Sequence, residues 1–508
     1  MRVELTATAQ RAFPLLLAAL VVLAYAPVLD AGFLRYDDAW LIADNALLRG
    51  PRAAFFDALF DTSRTARLAL GAELLPVRDL FVWLETRVFG VSAPPMHAVS
   101  IALYVGAVLM LRAALRRVLG CSVWVELTVL LFALHPLHVE SVAWLAGQKD
   151  VLALALVSAA LWAHSVASPR ARVLVPLLVL LACFAKAMSV AAIGLLLAQD
   201  LLLRRRLDRV LYAVTASITL AALLVHVYVG REVGMIGAPP GGSREAALIT
   251  MGPVWLRYAA HCLLPLDLSI TYHVPDATRW SVVAALGYVF VLGSLLAAAR
   301  LAQRAHPLAL FAWLWFFVPL APVSQLGAPL QNRMADRYAL LSVLAACLLV
   351  AWALARLPSA AGRALIAAAL TLALIDLTFS RSLLFADEVL LFADAARKDL
   401  IDPKPTYHLG RALAEADRDD EAMLAYRETL RRAGSGRTSA RSGAAKGLAV
   451  LLAERGALDA AIAVLREARP AFPDDPALAM NLAKLLRGVG RDDEAAPLER
   501  RFANAAKR

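Results

Sequence analysis

The 508 residues are 60% hydrophobic and only 18% charged, with a formal charge of +11 and a mean hydropathy of +0.64. A soluble globular chain is about a quarter charged and about half apolar, so most of this one belongs in lipid. Its Lys and Arg residues fall in short clusters between apolar runs; that is the pattern of cytoplasmic membrane loops and excludes a nucleic-acid-binding reading.

The chain begins "MRVELTATAQR" and enters an apolar run longer than the core of a secretory signal, which predicts an uncleaved first span. A span needs about 20 mostly apolar residues. Runs that suit one lie near 11–29, 95–115, 120–136, 150–167, 171–187, 188–203, 209–229, 281–299, 306–323, 338–355 and 364–380. The connections "LRRVLG", "SPRAR", "RRRLDR", "ARLAQR" and "ARLPSAAGR" are short and basic and alternate with the other loops. The positive-inside rule makes them cytoplasmic, with the N-terminus inside and the residues after 380 outside. Segment 252–270 is too short and too broken by Pro253 for a clean span; it predicts an interfacial or re-entrant helix on the outer side. Cys121, Cys183, Cys262 and Cys347 lie in or beside apolar runs without metal-ligand or disulfide spacing, as small buried apolar residues do.

This topology gathers the unusual polar sequence on the outer face. "YDD" with Asp37 and Asp38, "HPLHVESVAWLAGQKD" (135–150), "SITYHVPD" (269–276) and "QNRMADRY" (331–338) all fall there. Ionisable residues at the ends of spans are costly unless paired or solvated, so such a concentration reads as a functional site.

After Arg381 the composition turns to charged, amphipathic helix formers. Leu409-Gly410, Leu448-Ala449 and Leu482-Ala483 recur, followed twelve residues after the small residue by Ala422, Ala461 and Ala495. The last two repeats are 34 residues apart; the first gap is 39 and holds the insertion "GSGRTSARSG". A period of 34 with small residues at fixed places on two helices is the tetratricopeptide signature, and three repeats are about the minimum for a stable solenoid. The alternative is an unrelated array of helical hairpins. The final "RRFANAAKR" suits a polar cap. The expected fold class is all-α: a polytopic membrane domain over 1–382 with about 11 transmembrane helices, and a repeat α-solenoid over 385–508.

"YDD", "HPLHVESVAWLAGQKDVLALAL", "LPLDLSITYHVP" and "ADRYALL", followed by these repeats, resemble the transmembrane-and-tetratricopeptide-repeat O-mannosyltransferase family and its bacterial relatives. The resemblance runs over nearly the whole chain. It implies the GT-C class of membrane glycosyltransferases, in a bacterial inner membrane, with the repeats extracytoplasmic. Such an enzyme takes a sugar from a polyprenyl-phosphate carrier and transfers it with inversion to Ser or Thr hydroxyls of a protein, which the repeats recruit.

On this resemblance Asp37 and Asp38 are the catalytic candidates, because a weak hydroxyl nucleophile needs a carboxylate to accept its proton. Alone, the pair reads more readily as the chain's first contact with water; the surrounding family pattern reverses that preference. Lys149, Lys186, Arg333 and Arg337 are candidates for the donor phosphate, since Arg forks and interfacial Lys suit phosphate oxygens. The relatives carry an acid after the lysine matching Lys186; here Ala187 stands there. The bland readings are a snorkelling Lys and an Arg–Asp336 pair that fixes the loop. His135, His138 and Glu140 have spacing that could suit a divalent metal, against a His-Pro turn that positions the loop. Asp150, Tyr272 and His273 are sugar, acceptor or loop-positioning candidates. No metal ligand or cofactor is assigned. Two other classes compete: a non-enzymatic membrane-anchored scaffold, for which so many spans are excessive, and a transporter, which wants mid-membrane charges and internal symmetry.

Overall fold

The computed structural model describes residues 6–166 and 168–502. Among them no strand forms; the single β-type pairing is an isolated bridge between Ile236 and Leu330. The chain divides into two compact units. The first comprises Met1–Leu268 and Val274–Asp387, the second Ser269–His273 and Glu388–Arg508. The five-residue segment 269–273, expected with the membrane part, therefore belongs to the second unit.

The first unit is a bundle of apolar helices, and the chain is an integral membrane protein. Among the described residues, six of its helices are long and apolar enough to cross a membrane: Ala7–Val28, Ala93–Leu119, Leu145–Val166, Arg209–Glu232, Val282–Gln303 and Ala360–Ala386. A seventh crossing is available if Val123–Ala133 and Pro136–Ala143, bent by 43° at the Leu134-His135 break, act as one. Four further runs read as spans form shorter apolar helices, Ala171–Ala185, Ala187–Leu203, Pro307–Val323 and Val343–Leu354. Segment 252–270 departs from expectation. Pro253 does not break it; one helix runs from Arg244 to Leu263. Small residues explain its packing, for Gly252 and Ala284 approach so closely that a side chain at Gly287 would strike the Gly252 backbone. Close backbone approach through Gly and Ala is how helices gain contact in lipid, where burial alone offers little.

The helices Ala93–Leu119 and Gln148–Val166 pack along each other. Buried Ser100, Ala107, Ala153 and Ala160 keep the seam narrow, and the Ser100 hydroxyl donates to the Val142 carbonyl at 2.8 Å. This seam fixes the start of the second helix, where Lys149 and Asp150 stand.

The second unit is a succession of short amphipathic helices, Pro403–Glu415, Asp419–Ala433, Ser439–Glu454, Leu458–Ala468, Pro476–Gly488 and Asp492–Phe502. Each packs on the next. The recurring small residues are all buried: Gly410, Ala449 and Ala483, then Ala422, Ala461 and Ala495. The gap at Gly410 and Gly447 is filled by the ring of Tyr426, and that at Gly443 by Tyr407. Most of the polar ending expected as a cap, residues 503–508, lies outside the described residues.

Candidate active site

The loop after the first helix is built around one carboxylate. Asp38 is fully buried; its Oδ2 accepts the Leu34 backbone N–H at 3.0 Å, and its Oδ1 accepts that of Ala146 at 2.7 Å. It thereby pins the loop to the turn that precedes Lys149. Asp37 points elsewhere. It is half-buried, and its Oδ1 accepts the Trp40 indole N–H at 3.2 Å. On the other side of Asp37, the Tyr36 ring packs 5.5 Å from that of Trp144. Burial pushes the Tyr36 hydroxyl up to about 12, and the neighbouring Asp37 charge adds to the shift.

Three of the candidate cations are each matched to a carboxylate. Lys149 pairs with Glu73. Lys186 Nζ lies 3.1 Å from Asp150 Oδ1 and 3.5 Å from Oδ2. Arg337 forms an ion pair with Glu140, and its backbone N–H donates to Glu140 Oε2 at 3.0 Å. The Arg337 guanidinium also lies 5.4 Å from the Trp144 ring centre and 5.2 Å from that of Tyr338. Beside it the Trp144 indole N–H is buried without a hydrogen-bond partner. Asp150, Lys186, Ser189, Arg337 and Tyr338 line one cavity; Lys149 lines another, with Asn45, Arg78, Asp79 and Ala146. For Glu73, burial raises the carboxyl's affinity for protons, but Lys149, Lys186 and Arg78 outweigh it and hold the group well below the usual carboxylate range. It is an anion at any working pH.

The remaining candidates lie elsewhere or are spent on the fold. Asp336 is fully buried, with Arg381 Nη2 2.6 Å from its Oδ2 and His261 Nδ1 3.8 Å from its Oδ1. Arg333 lines neither cavity; it pairs with Asp276 and donates to the Val274 carbonyl at 3.0 Å. His138 meets the Tyr104 hydroxyl at 2.7 Å and the Leu340 carbonyl at 3.1 Å through its two ring nitrogens. His135 accepts the Leu137 N–H and meets the Cys262 carbonyl at 3.2 Å. With four ring nitrogens so engaged and Glu140 bound to Arg337, this trio holds a turn together and has no set of ligands to offer a metal. Tyr272 and His273 are in the second unit.

Several site residues carried no sequence signal. Glu73 sits in a connection and Arg78 and Asp79 in the first turn of the helix Pro76–Phe89, and only folding sets them against Lys149. Two others were detectable. Arg381 is a lone cation near the end of an apolar helix, which is rarely tolerated without a partner. Trp144 lies inside the most specific motif, between His135 and Lys149.

No family model matches this sequence, and no curated protein matches it. Among solved structures, the chain is similar to ArnT from Cupriavidus metallidurans bound to undecaprenyl phosphate, at 16% identity over 85% of this chain and 80% of that one, with a TM-score of 0.43. It is also similar to the Archaeoglobus fulgidus oligosaccharyltransferase tethered with an acceptor peptide containing the NVT sequon. That match is 13% identical, covers 75% of this chain but 56% of the other, and has a TM-score of 0.41.

Proposed function

We propose that the first unit is an inverting GT-C-class glycosyltransferase. It moves a sugar, mannose on the sequence resemblance, from a polyprenyl-phosphate donor to Ser or Thr hydroxyls of a protein outside the cytoplasm. In this reading all eleven apolar runs cross the bilayer, that of a bacterial inner membrane, with the N-terminus cytoplasmic. The second unit is a tetratricopeptide solenoid outside the cytoplasm that recruits the acceptor protein.

The observation that carries the reading is the unequal use of the acidic pair. Asp38 spends both oxygens on backbone N–H groups and orients the loop, whereas Asp37 reaches solvent on the same loop, joined through Tyr36 and Trp144 to the Arg337 guanidinium. A base must be charged and accessible, and a rigid loop keeps it aimed. As the acceptor hydroxyl oxygen bonds to the anomeric carbon, its proton passes to the Asp37 carboxylate. The bond between that carbon and the phosphate oxygen breaks with its electron pair, so polyprenyl phosphate departs. Lys149, Lys186 and Arg337 stabilise the charge that develops on the phosphate. Their carboxylate partners hold them in place before the donor arrives, and the Trp144 N–H adds a further donor.

The test is an assay of the purified full chain with polyprenyl-phosphate-linked sugars and a Ser/Thr-rich acceptor protein. Release of polyprenyl phosphate together with sugar on the acceptor is the expected result. Neither product with any donor sugar would overturn the reading.

A further inference from the structure

Away from the charged cluster, His273, Asp399 and Asp402 each offer one ligand atom, and the three atoms lie within 4.8 Å of one another. All three belong to the second unit. The carboxylates bracket the connection between the helices Glu388–Lys398 and Pro403–Glu415. This connection is held from its protein side. Arg432 donates to the carbonyls of Asp399, at 2.6 Å, and Asp402, at 3.5 Å, while Glu428 Oε1, 2.7 Å from its Nε, balances its charge. Asp402 Oδ1 caps the following helix by accepting the Lys404 N–H at 2.9 Å. Asp399 Oδ1 accepts the N–H groups of Ile401, at 3.0 Å, and Asp402, at 2.9 Å.

Asp399 Oδ2 is different. It is shut off from solvent and has no hydrogen-bond partner. A carboxylate oxygen in that state is costly, and a bound cation would satisfy it. His273 is carried by the segment 269–273, in which the Ser269 N–H donates to the Tyr272 hydroxyl at 2.8 Å.

We propose that His273, Asp399 and Asp402 form a divalent-metal site whose preferred ion is zinc. The imidazole selects the ion. Magnesium and calcium take oxygen ligands, whereas one nitrogen with two carboxylates suits zinc. Bonds of about 2.1 Å to a tetrahedral zinc set its ligand atoms about 3.4 Å apart, a contraction that side-chain rotation supplies. Two carboxylates neutralise the dication, and three protein ligands leave a fourth position for water or an outside ligand. The ion ties His273 to the helix connection and clamps the 269–273 segment. The site does not depend on the glycosyltransferase reading.

The full chain, purified in detergent and stripped with a chelator, is titrated with zinc alone, by calorimetry and by metal analysis. One zinc per chain is expected, with magnesium failing to compete. His273→Ala and Asp399→Asn should each weaken binding by about ten-fold or more. Asp402→Asn should do the same while its amide oxygen still caps the helix, so its metal-free melting temperature should match the parent's and separate lost ligation from lost fold. Fewer than one zinc per chain, or zinc affinity unchanged in His273→Ala, overturns the proposal.

Discussion

The two units use charge in opposite ways. In the first, most ion pairs are buried: the side chains of Lys186 and Asp150 are 9% and 4% exposed, and those of Arg381 and Asp336 6% and 0%. In the second most lie at or near the surface, as with Arg431 and Glu428 at 71% and 32%, and the core is largely Ala, Leu and Gly closed by tyrosine rings. Packing of small residues suffices to hold helical pairs together. Burying ions does not improve on it, because desolvation offsets most of the attraction. The first unit therefore carries its charges for a reason other than stability, and fixed charges beside a reactive loop supply one.

This contrast can be broken in graded steps. Arg381→Ala removes the closest cation from fully buried Asp336 and should cost about 3–5 kcal/mol, read from unfolding of the purified chain. Replacing both partners with apolar residues of similar volume should recover most of that loss; if the double variant is no better than the single, the pair is a net stabiliser. In the second unit, Gly447→Leu drives a side chain into the Tyr426 ring and should cost about 1–3 kcal/mol, partly relieved by also trimming Tyr426 to Ala. An unchanged melting point would show that these helices are not tightly seated.

A smaller effect concerns pH. Glu85 is buried, and its Oε1 accepts the Gln148 amide at 2.9 Å. Burial pushes its carboxyl up from 4.5 to about 7, against the opposing effect of the Gln148 bond. The folded chain thus holds this proton more tightly than the unfolded one. The stability it contributes is complete below about pH 4.5 and is lost as pH rises toward 7. Glu85→Gln should flatten that part of the melting profile, a change of roughly a few degrees; an unaltered slope assigns it to another group. The smallest effect is on the surface, where Arg431→Ala should leave the melting temperature essentially unchanged.

The fold was legible where a single element decides the matter. Each apolar run became a helix, because periodicity and composition are local, and the small residues at Gly410, Ala422, Ala449, Ala461, Ala483 and Ala495 occupy buried positions. Pro253 was misjudged as a break because its neighbours Gly252 and Ala284, which hold the helix against the next one, are visible only in three dimensions. At the site, the gathering of Lys186, Asp150 and Arg337 on one cavity follows from motifs that were recognisable. The partners were not. Nothing in "AELLP" announces that Glu73 meets Lys149, and Arg333 and Arg337, four residues apart in one motif, are sent to Asp276 and Glu140 respectively. Tyr272 and His273 are assigned to the second unit by contacts across more than a hundred residues, which no local pattern encodes.

The central claim is that Asp37 accepts the acceptor's proton while Asp38 only holds the loop. The direct measurement is turnover and donor binding of Asp37→Asn, which keeps the side chain's shape and removes its basicity, beside Asp38→Asn. Transfer by Asp37→Asn should fall about 10²–10⁴-fold with donor binding retained, and Asp38→Asn should lose less. Wild-type turnover in Asp37→Asn would contradict the account.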